Sequence, residues 1–182
     1  MLEPDFSVFP ELKTARLLLR KVSNADAREI LKLRSDEDVM RYIDKERSAT
    51  IADAEAFINK IKDSLKSNDG ITWAITLKES PKILIGTIGY WRLIKEHHRA
   101  EIGYMLNPEY WNKGIMKEAL AKVINVGFDL LKLHSIEAHI NPGNEASAGI
   151  LTSAGFTKDA YFRENFFFGG IFRDTAIYSR LQ

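Results

Sequence analysis

The residues best suited to chemistry lie in Trp111-Asn112-Lys113-Gly114-Ile115-Met116-Lys117-Glu118, where a glycine stands at the point at which a loop turns into a helix. At such a point several backbone N–H groups converge, and the helix dipole adds partial positive charge. A phosphate or pyrophosphate fits that field, which Lys113 and Lys117 reinforce. The plainer reading of the same residues is a glycine-containing helix start with two solvated lysines. Neither GxxxxGKS/T nor GxGxxG occurs, so neither an ATPase P-loop nor a dinucleotide fingerprint is supported.

Other chemistries are excluded or weakened by composition. The 182 residues contain no cysteine, which removes disulfides, thiolate metal sites and a covalent thiol nucleophile together, and fits a reducing, cytoplasmic location. The four histidines do not build a metal site: His97 and His98 are adjacent, and His134 and His139 lie five apart across a strand start. No metal is expected. A formal net charge of +1 leaves no global field to draw the chain onto nucleic acid or an anionic membrane. Met1 to Lys13 carries Glu3, Asp5 and Glu11 and no sustained apolar run, so neither a signal peptide nor a membrane anchor is expected.

The elements that must hold the glycine loop follow from periodicity. Arg16 to Arg20 is a short apolar run between charges, an opening strand, followed by a helix from about Asp26 to Arg34. A second helix fits Ile51 to Leu65, where Ile51, Ala54, Ile58, Ile61 and Leu65 recur at spacings of three and four, and Thr50 can cap it. Ile71 to Leu77 and Ile83 to Ile94 form a hairpin. A strand from Arg99 to Leu106 leads through Asn107-Pro108 to a helix from about Gly114 to Leu131, and Ser135 to Ile140 is again strand-like. That segment is a βαβ unit with parallel strands, and ligands of such units sit beyond the carboxyl ends of the strands, here from Leu106 to Lys117. A short helix from Asn144 to about Ser153 and an aromatic hairpin around Gly169-Gly170 close the chain. The expected fold is α/β: one domain over residues 1–182, a mixed, mostly antiparallel sheet of about six to seven strands, and about four helices.

With these elements in place, Asn107 to Leu120 resembles the acetyl-CoA-binding motif of the GNAT superfamily, and specifically its RimJ/RimL branch of ribosomal-protein N-acetyltransferases. Lys13 to Arg20 is similar to that branch's opening strand, Ile85 to Gly89 to its central hairpin, and Ala100 to Tyr104 to its fourth strand. Asn141 to Ser147, with Ala154-Gly155-Phe156, resembles the fifth-strand exit and following helix. The resemblance spans nearly the whole chain in the family's order. Within the pattern Gln/Arg-x-x-Gly-x-Gly/Ala, only Gly114 fits strictly. Asn112 and Met116 replace smaller residues, which predicts less room beside the pyrophosphate.

The resemblance implies direct acetyl transfer from acetyl-CoA to an amine in a ternary complex. It implies cofactor contacts from Met105, Leu106, Asn112, Lys113, Gly114, Ile115, Met116, Lys117, Asn144 and Ser147. Glu101 is the candidate base, directly or through a water, or else a solvated or ion-paired strand residue. The backbone N–H of about Met105 is the implied oxyanion donor. Many family members place a tyrosine seven residues after the Asn144 position to protonate the departing thiolate. Leu151 stands there in this chain, and Ser147 is the implied substitute. The plainer reading makes Asn144 a helix N-cap and Ser147 a first-turn residue. Tyr42, Tyr90, Trp91 and Phe166 to Phe168 either line an acceptor mouth or pack in the core, the latter being the commoner role of strand aromatics.

The implied partners are acetyl-CoA and an amine acceptor, first of all a protein N-terminus, in a monomer or homodimer. A small-amine acetyltransferase and a non-catalytic acetyl-CoA-binding module are the alternatives. The loops that select the acceptor have no readable chemical signature.

Overall fold

The backbone of the molecule is one eight-stranded sheet whose strands run β1-β2-β3-β4-β5-β6-β8-β7 in space. The computed structural model describes residues 1–182. The strands are β1 (Leu12–Lys13), β2 (Leu17–Lys21), β3 (Ile71–Leu77), β4 (Gly86–Ile94), β5 (Arg99–Leu106), β6 (Ser135–Ile140), β7 (Thr157–Phe168) and β8 (Ile171–Leu181). Five α-helices accompany them: α1 (Ala27–Ser35), α2 (Glu37–Met40), α3 (Ile51–Lys66), α4 (Ile115–Asn125) and α5 (Glu145–Ser153). The extra strand and helix over expectation are the two-residue β1 and the four-residue α2, both too short to show a period.

The two faces of the sheet bury separate cores. Leu17, Leu19, Trp73, Ile88, Tyr90, Ala100 and Ile102 pack with Met116, Ala119, Leu120 and Val123 of α4. On the other face, Ala27, Ile30 and Leu33 of α1 pack with Ala54 and Ile58 of α3 and with Ala74 and Leu84. Thr50 caps α3 as expected, within a capping box completed by Asp53, whose side chain accepts from the Thr50 and Ala49 amides.

Every strand pair is antiparallel except β5–β6, and that pair is short. It runs only from Arg99↔Ser135 to Glu101↔Glu137. Beyond Glu101 the two strands part, since β4 keeps hold of β5 as far as Leu106 and β8 keeps hold of β6 as far as Ile140. A fork therefore opens in the middle of the sheet, at the end toward which α4 and α5 point their N-termini.

The expected helix to Leu131 changes character at Val126, where Val126–Leu130 forms a π-helical turn. The cause is Tyr90, whose buried hydroxyl donates to the Val123 carbonyl at 2.9 Å and lies against Gly127. A carbonyl engaged from the side loosens the helical ladder there. Any Cβ at residue 127 would overlap the Tyr90 ring and hydroxyl.

Candidate active site

The glycine loop is built from two left-handed residues and three braces. Asn112 (φ 57°) and Gly114 (φ 71°) both lie in the αL region, which Asn and Gly tolerate best. Trp111 folds back, its indole Nε1 donating to the Leu106 carbonyl at 2.8 Å. Arg16, just before β2, reaches across and donates to the Lys113 carbonyl at 2.9 Å and to Glu118 at 2.7 Å. Glu118 also accepts from the Thr14 hydroxyl at 2.6 Å and the Arg16 amide at 2.9 Å. Burial pushes the Glu118 carboxyl up, but these hydrogen bonds and the Arg16 charge outweigh it and hold the group below the ordinary carboxylate value.

The loop leaves the first amides of α4 without a side-chain cap, because Gly114 is the N-cap residue and has none to offer. The amides of Ile115, Met116 and Lys117 have no intrahelical acceptor by position. The Ile115 and Met116 side chains are buried in the core. Met116 therefore does not narrow the space outside the loop, contrary to the expectation from its size. A Cβ at Gly114 would meet only the Arg16 guanidinium, at 3.5 Å. The Lys113 ammonium lies 5.6 Å from the centre of the Tyr110 ring. Lys117, with Ala121 and Ile124, lines a cavity of about 830 Å³ between α4, the end of α5, the start of β7 and the end of β8; no other expected cofactor residue but Lys117 borders it.

The β5 backbone sorts by register. The Asn107 amide donates to the Ile85 carbonyl at 2.8 Å, and Thr87 lies opposite Met105. Bonded and non-bonded pairs alternate along an antiparallel ladder, so the Met105 amide also faces β4. The position a Gly86 Cβ would take, 2.5 Å from the Met105 carbonyl, agrees. At the other end, the His98 carbonyl accepts from the His134 amide across the β6 side at 2.6 Å. By the same parity the amides of Ile102, Tyr104 and Leu106 face the fork. The oxyanion donor implied at Met105 is thus turned away from the gap, and Tyr104 and Leu106 are the residues that present an amide to it.

On the α4–α5 face of the fork, the Tyr104 hydroxyl stands 2.7 Å from the Ser147 hydroxyl. Burial pushes the Tyr104 phenol up to about 12, against a smaller lowering by the Ser147 bond. Asn144 caps α5, its Oδ1 accepting from the Ser147 amide at 3.0 Å, so the capping reading holds and leaves the Asn144 NH₂ group uncommitted. Leu151 is fully buried in the core. Tyr104 was missed as a functional candidate from sequence, since nothing local links it to a serine 43 positions away.

On the opposite face, at the last paired position of β5, Glu101 is 9% exposed. Its carboxylate lies 3.9 Å from His139 Nδ1, whose Nε2 lies 3.4 Å from Glu137, which in turn pairs with Arg99 at 3.0 Å. Burial raises the Glu101 pKa; His139 and Arg92 oppose it, Glu137 adds to it, and the Trp91 indole lowers it slightly. Trp91 is the extra residue of a β-bulge between Tyr90 and Arg92 and lies beside Gly103. It is 54% exposed, and Phe166 and Phe167 are exposed as well, so of the strand aromatics expected in the core only Tyr90 is fully enclosed. No group of three or more His, Asp or Glu is placed to hold a metal, and no helix is long and apolar enough to cross a membrane.

A sheet forked after a parallel pair, with an uncapped helix start at its mouth, makes a cleft with an anion site at one end. Residues 16–157 match the family model described as the acetyltransferase (GNAT) domain. The chain is 38% identical to the uncharacterized N-acetyltransferase YoaA of Bacillus subtilis (strain 168), over 94% of this chain and 97% of the relative. Among solved structures, the ribosomal-protein-S5-alanine acetyltransferase of Vibrio fischeri superposes with a TM-score of 0.81 at 26% identity, covering 94% of this chain and 96% of that one. The spermidine N-acetyltransferase of Vibrio cholerae, solved with CoA and spermine, shares the fold at 23% identity, TM-score 0.81, covering 93% and 97%. The chain belongs to the GNAT acetyltransferase family and is an acetyl-CoA-dependent N-acetyltransferase.

Proposed function

We propose that this enzyme acetylates the N-terminal α-amine of a protein or peptide, by direct attack of the amine on the thioester while both substrates are bound. The carrying observation is the fork: Glu101 on one face, the Tyr104–Ser147 pair on the other, and the β5 edge between them. Acetyl-CoA supplies the activated thioester. The uncapped amides of Ile115, Met116 and Lys117, with Asn112, Lys113 and Gly114 shaping the loop, suit its pyrophosphate. Leu106 on the fork edge and the free NH₂ of Asn144 suit its pantetheine arm.

The chemistry divides among three groups. An α-amine, with pKa about 8, gives up its proton more readily than a lysine at about 10. Glu101, raised by burial, accepts that proton directly or through a water before attack, which frees the nitrogen lone pair to form the N–C bond. The amides of Tyr104 and Leu106, fixed by the sheet, serve the developing oxyanion. As the C–S bond breaks, Ser147 donates a hydrogen bond to the departing thiolate, which takes up the second proton shed by the nitrogen, while the protonated Tyr104 phenol donates to Ser147 Oγ and holds the hydroxyl in that direction.

Charge balance favours a monoamine acceptor. The two carboxylates at the fork, Glu101 and Glu137, are attended by Arg92, Arg99 and His139. No surplus of negative charge remains there for a second and third ammonium group of a polyamine. Coenzyme A release with peptides beginning in Ala or Ser, and none with spermidine or aminoglycosides, is the expected result. Turnover with spermidine alone would replace this reading by the small-amine one, and failure across a broad amine panel would leave a binding module.

A further inference from the structure

A bulge in β4 aims two side chains at one carboxylate. Tyr90 pairs with Ile102 and Arg92 with Glu101, so Trp91 is an extra residue, and Trp91 and Arg92 together oppose Glu101. Bulges re-aim side chains in this way beside active sites. The Trp91 indole leans over Gly103, where a Cβ would come within 3.3 Å of its ring. β3 reaches only to Ile71, opposite Tyr90, so no strand flanks Trp91 and Arg92 on that side, and both are exposed.

The charges around Glu101 leave Arg92 without a partner. Arg99 on β5 is paired with Glu137 on β6 at 3.0 Å, and His139 stands between Glu137 and Glu101. β8 faces Glu137 and His139 with Ser179 and Ile177, and the Ser179 hydroxyl donates to Asp159. At the end of β4, Lys95 is paired with Asp69 at 2.8 Å. Burial raises the Glu101 pKa and the nearby Arg92 charge opposes it, yet Arg92 makes no ion pair or hydrogen bond of its own.

When the ammonium group of an acceptor comes to Glu101, that carboxylate is matched, Glu137 is matched by Arg99, and the Arg92 guanidinium is the cation left over. A basin with one uncompensated cation favours an acceptor that carries a negative group near its amine. The reach suits a peptide. Directly opposed residues of an antiparallel pair have Cβ atoms about 5 Å apart, and consecutive Cα atoms of a peptide are about 3.8 Å apart. An acidic side chain on the second residue therefore spans from an amine held at Glu101 to the guanidinium, whose planar fork takes a carboxylate through two hydrogen bonds.

We infer that Arg92 selects the acceptor by binding an acidic side chain at the second position of the peptide whose N-terminal amine is acetylated. The inference rests on Glu101 as the base and on a peptide as the acceptor. Its test uses peptides of equal length beginning Ser-Glu, Ser-Gln and Ser-Lys, with coenzyme A release followed at low salt on the pH plateau of kcat/KM. Wild type is expected to prefer Ser-Glu to Ser-Gln about tenfold, the size of a hydrogen bond to a charged group. Ser-Lys should be the poorest, and the differences should narrow as salt is added. Arg92→Gln is expected to erase the Glu/Gln ratio and Arg92→Glu to reverse the order. Ratios between peptides cancel any change that a substitution at residue 92 makes to Glu101 or to folding. Equal kcat/KM for the three peptides in wild type, or a Glu/Gln ratio that survives in Arg92→Gln, overturns the inference and leaves the peptide reading standing. Turnover of none of the three removes the peptide reading and this inference together.

Discussion

The Tyr104 hydroxyl, at the end of β5, meets the Ser147 hydroxyl, in the first turn of α5, at 2.7 Å. Two elements that diverge from the fork are thereby joined, at the point where the proposed mechanism has the thiolate leave. With its phenol at about 12, Tyr104 stays protonated throughout the neutral range and orients Ser147 without titrating.

Ser147→Ala is expected to lower kcat by about 10²-fold, in the range for loss of one preorganised donor to developing negative charge, with coenzyme A affinity little changed. Tyr104→Phe should lower kcat by less, and the double variant by no more than Ser147→Ala alone, because the two act as a unit. Steady-state kinetics with calorimetric coenzyme A titration separates the outcomes. Independent, additive losses would contradict the pairing.

Glu101→Gln should abolish the acid limb of the kcat/KM profile along with most activity. Because burial raises the Glu101 pKa, the base is competent only above that raised value. The His139 charge opposes the rise, so His139→Ala is expected to move the acid limb to higher pH. The Glu137 charge adds to it, so Glu137→Gln should move the limb lower. A limb that stays put in both variants would remove Glu101 from the base role.

Glu118 is held below its ordinary carboxylate value, so it is charged in the folded protein at pH values where the unfolded chain begins to protonate. Its contribution is therefore complete above pH 4.5 and is lost as the pH falls through the depressed value. Glu118→Gln should cost about 1 to 2 kcal/mol at neutral pH, roughly 3 to 6 °C in Tm. The gap from wild type should close in acid, as followed by thermal melts across pH.

Gly127→Ala should destabilise by about 1 to 3 kcal/mol, the usual range for overpacking, since its Cβ would overlap Tyr90. Tyr90→Phe removes the hydroxyl that Cβ would meet, so the double variant should recover part of the loss in chemical denaturation.

These residues show how far the sequence was legible. The bounds of β5 and the cap on α3 are local properties, carried by alternation and by Thr50, and both stand as expected. The loop glycine is similarly local. What escaped depends on distance or parity. Arg16 and Glu118 are 102 positions apart, and no pattern in either segment announces their bond. Whether Met105 or its neighbours face the fork turns on a one-residue register that only the β4 pairing fixes. Phe166 and Phe167 of the β7–β8 hairpin look like core by residue type, but β6 ends before reaching them.

The most direct test of the site is coenzyme A affinity measured by calorimetry for wild type, Gly114→Ala and Gly114→Asp. The left-handed backbone at Gly114 strains either substitution, so the alanine variant reports that cost alone. The aspartate adds a negative charge at the uncapped start of α4. We expect a modest loss for Gly114→Ala and a further loss of at least about tenfold, or about 1.4 kcal/mol, for Gly114→Asp. Equal affinities in the two variants would contradict a pyrophosphate cradle at this loop.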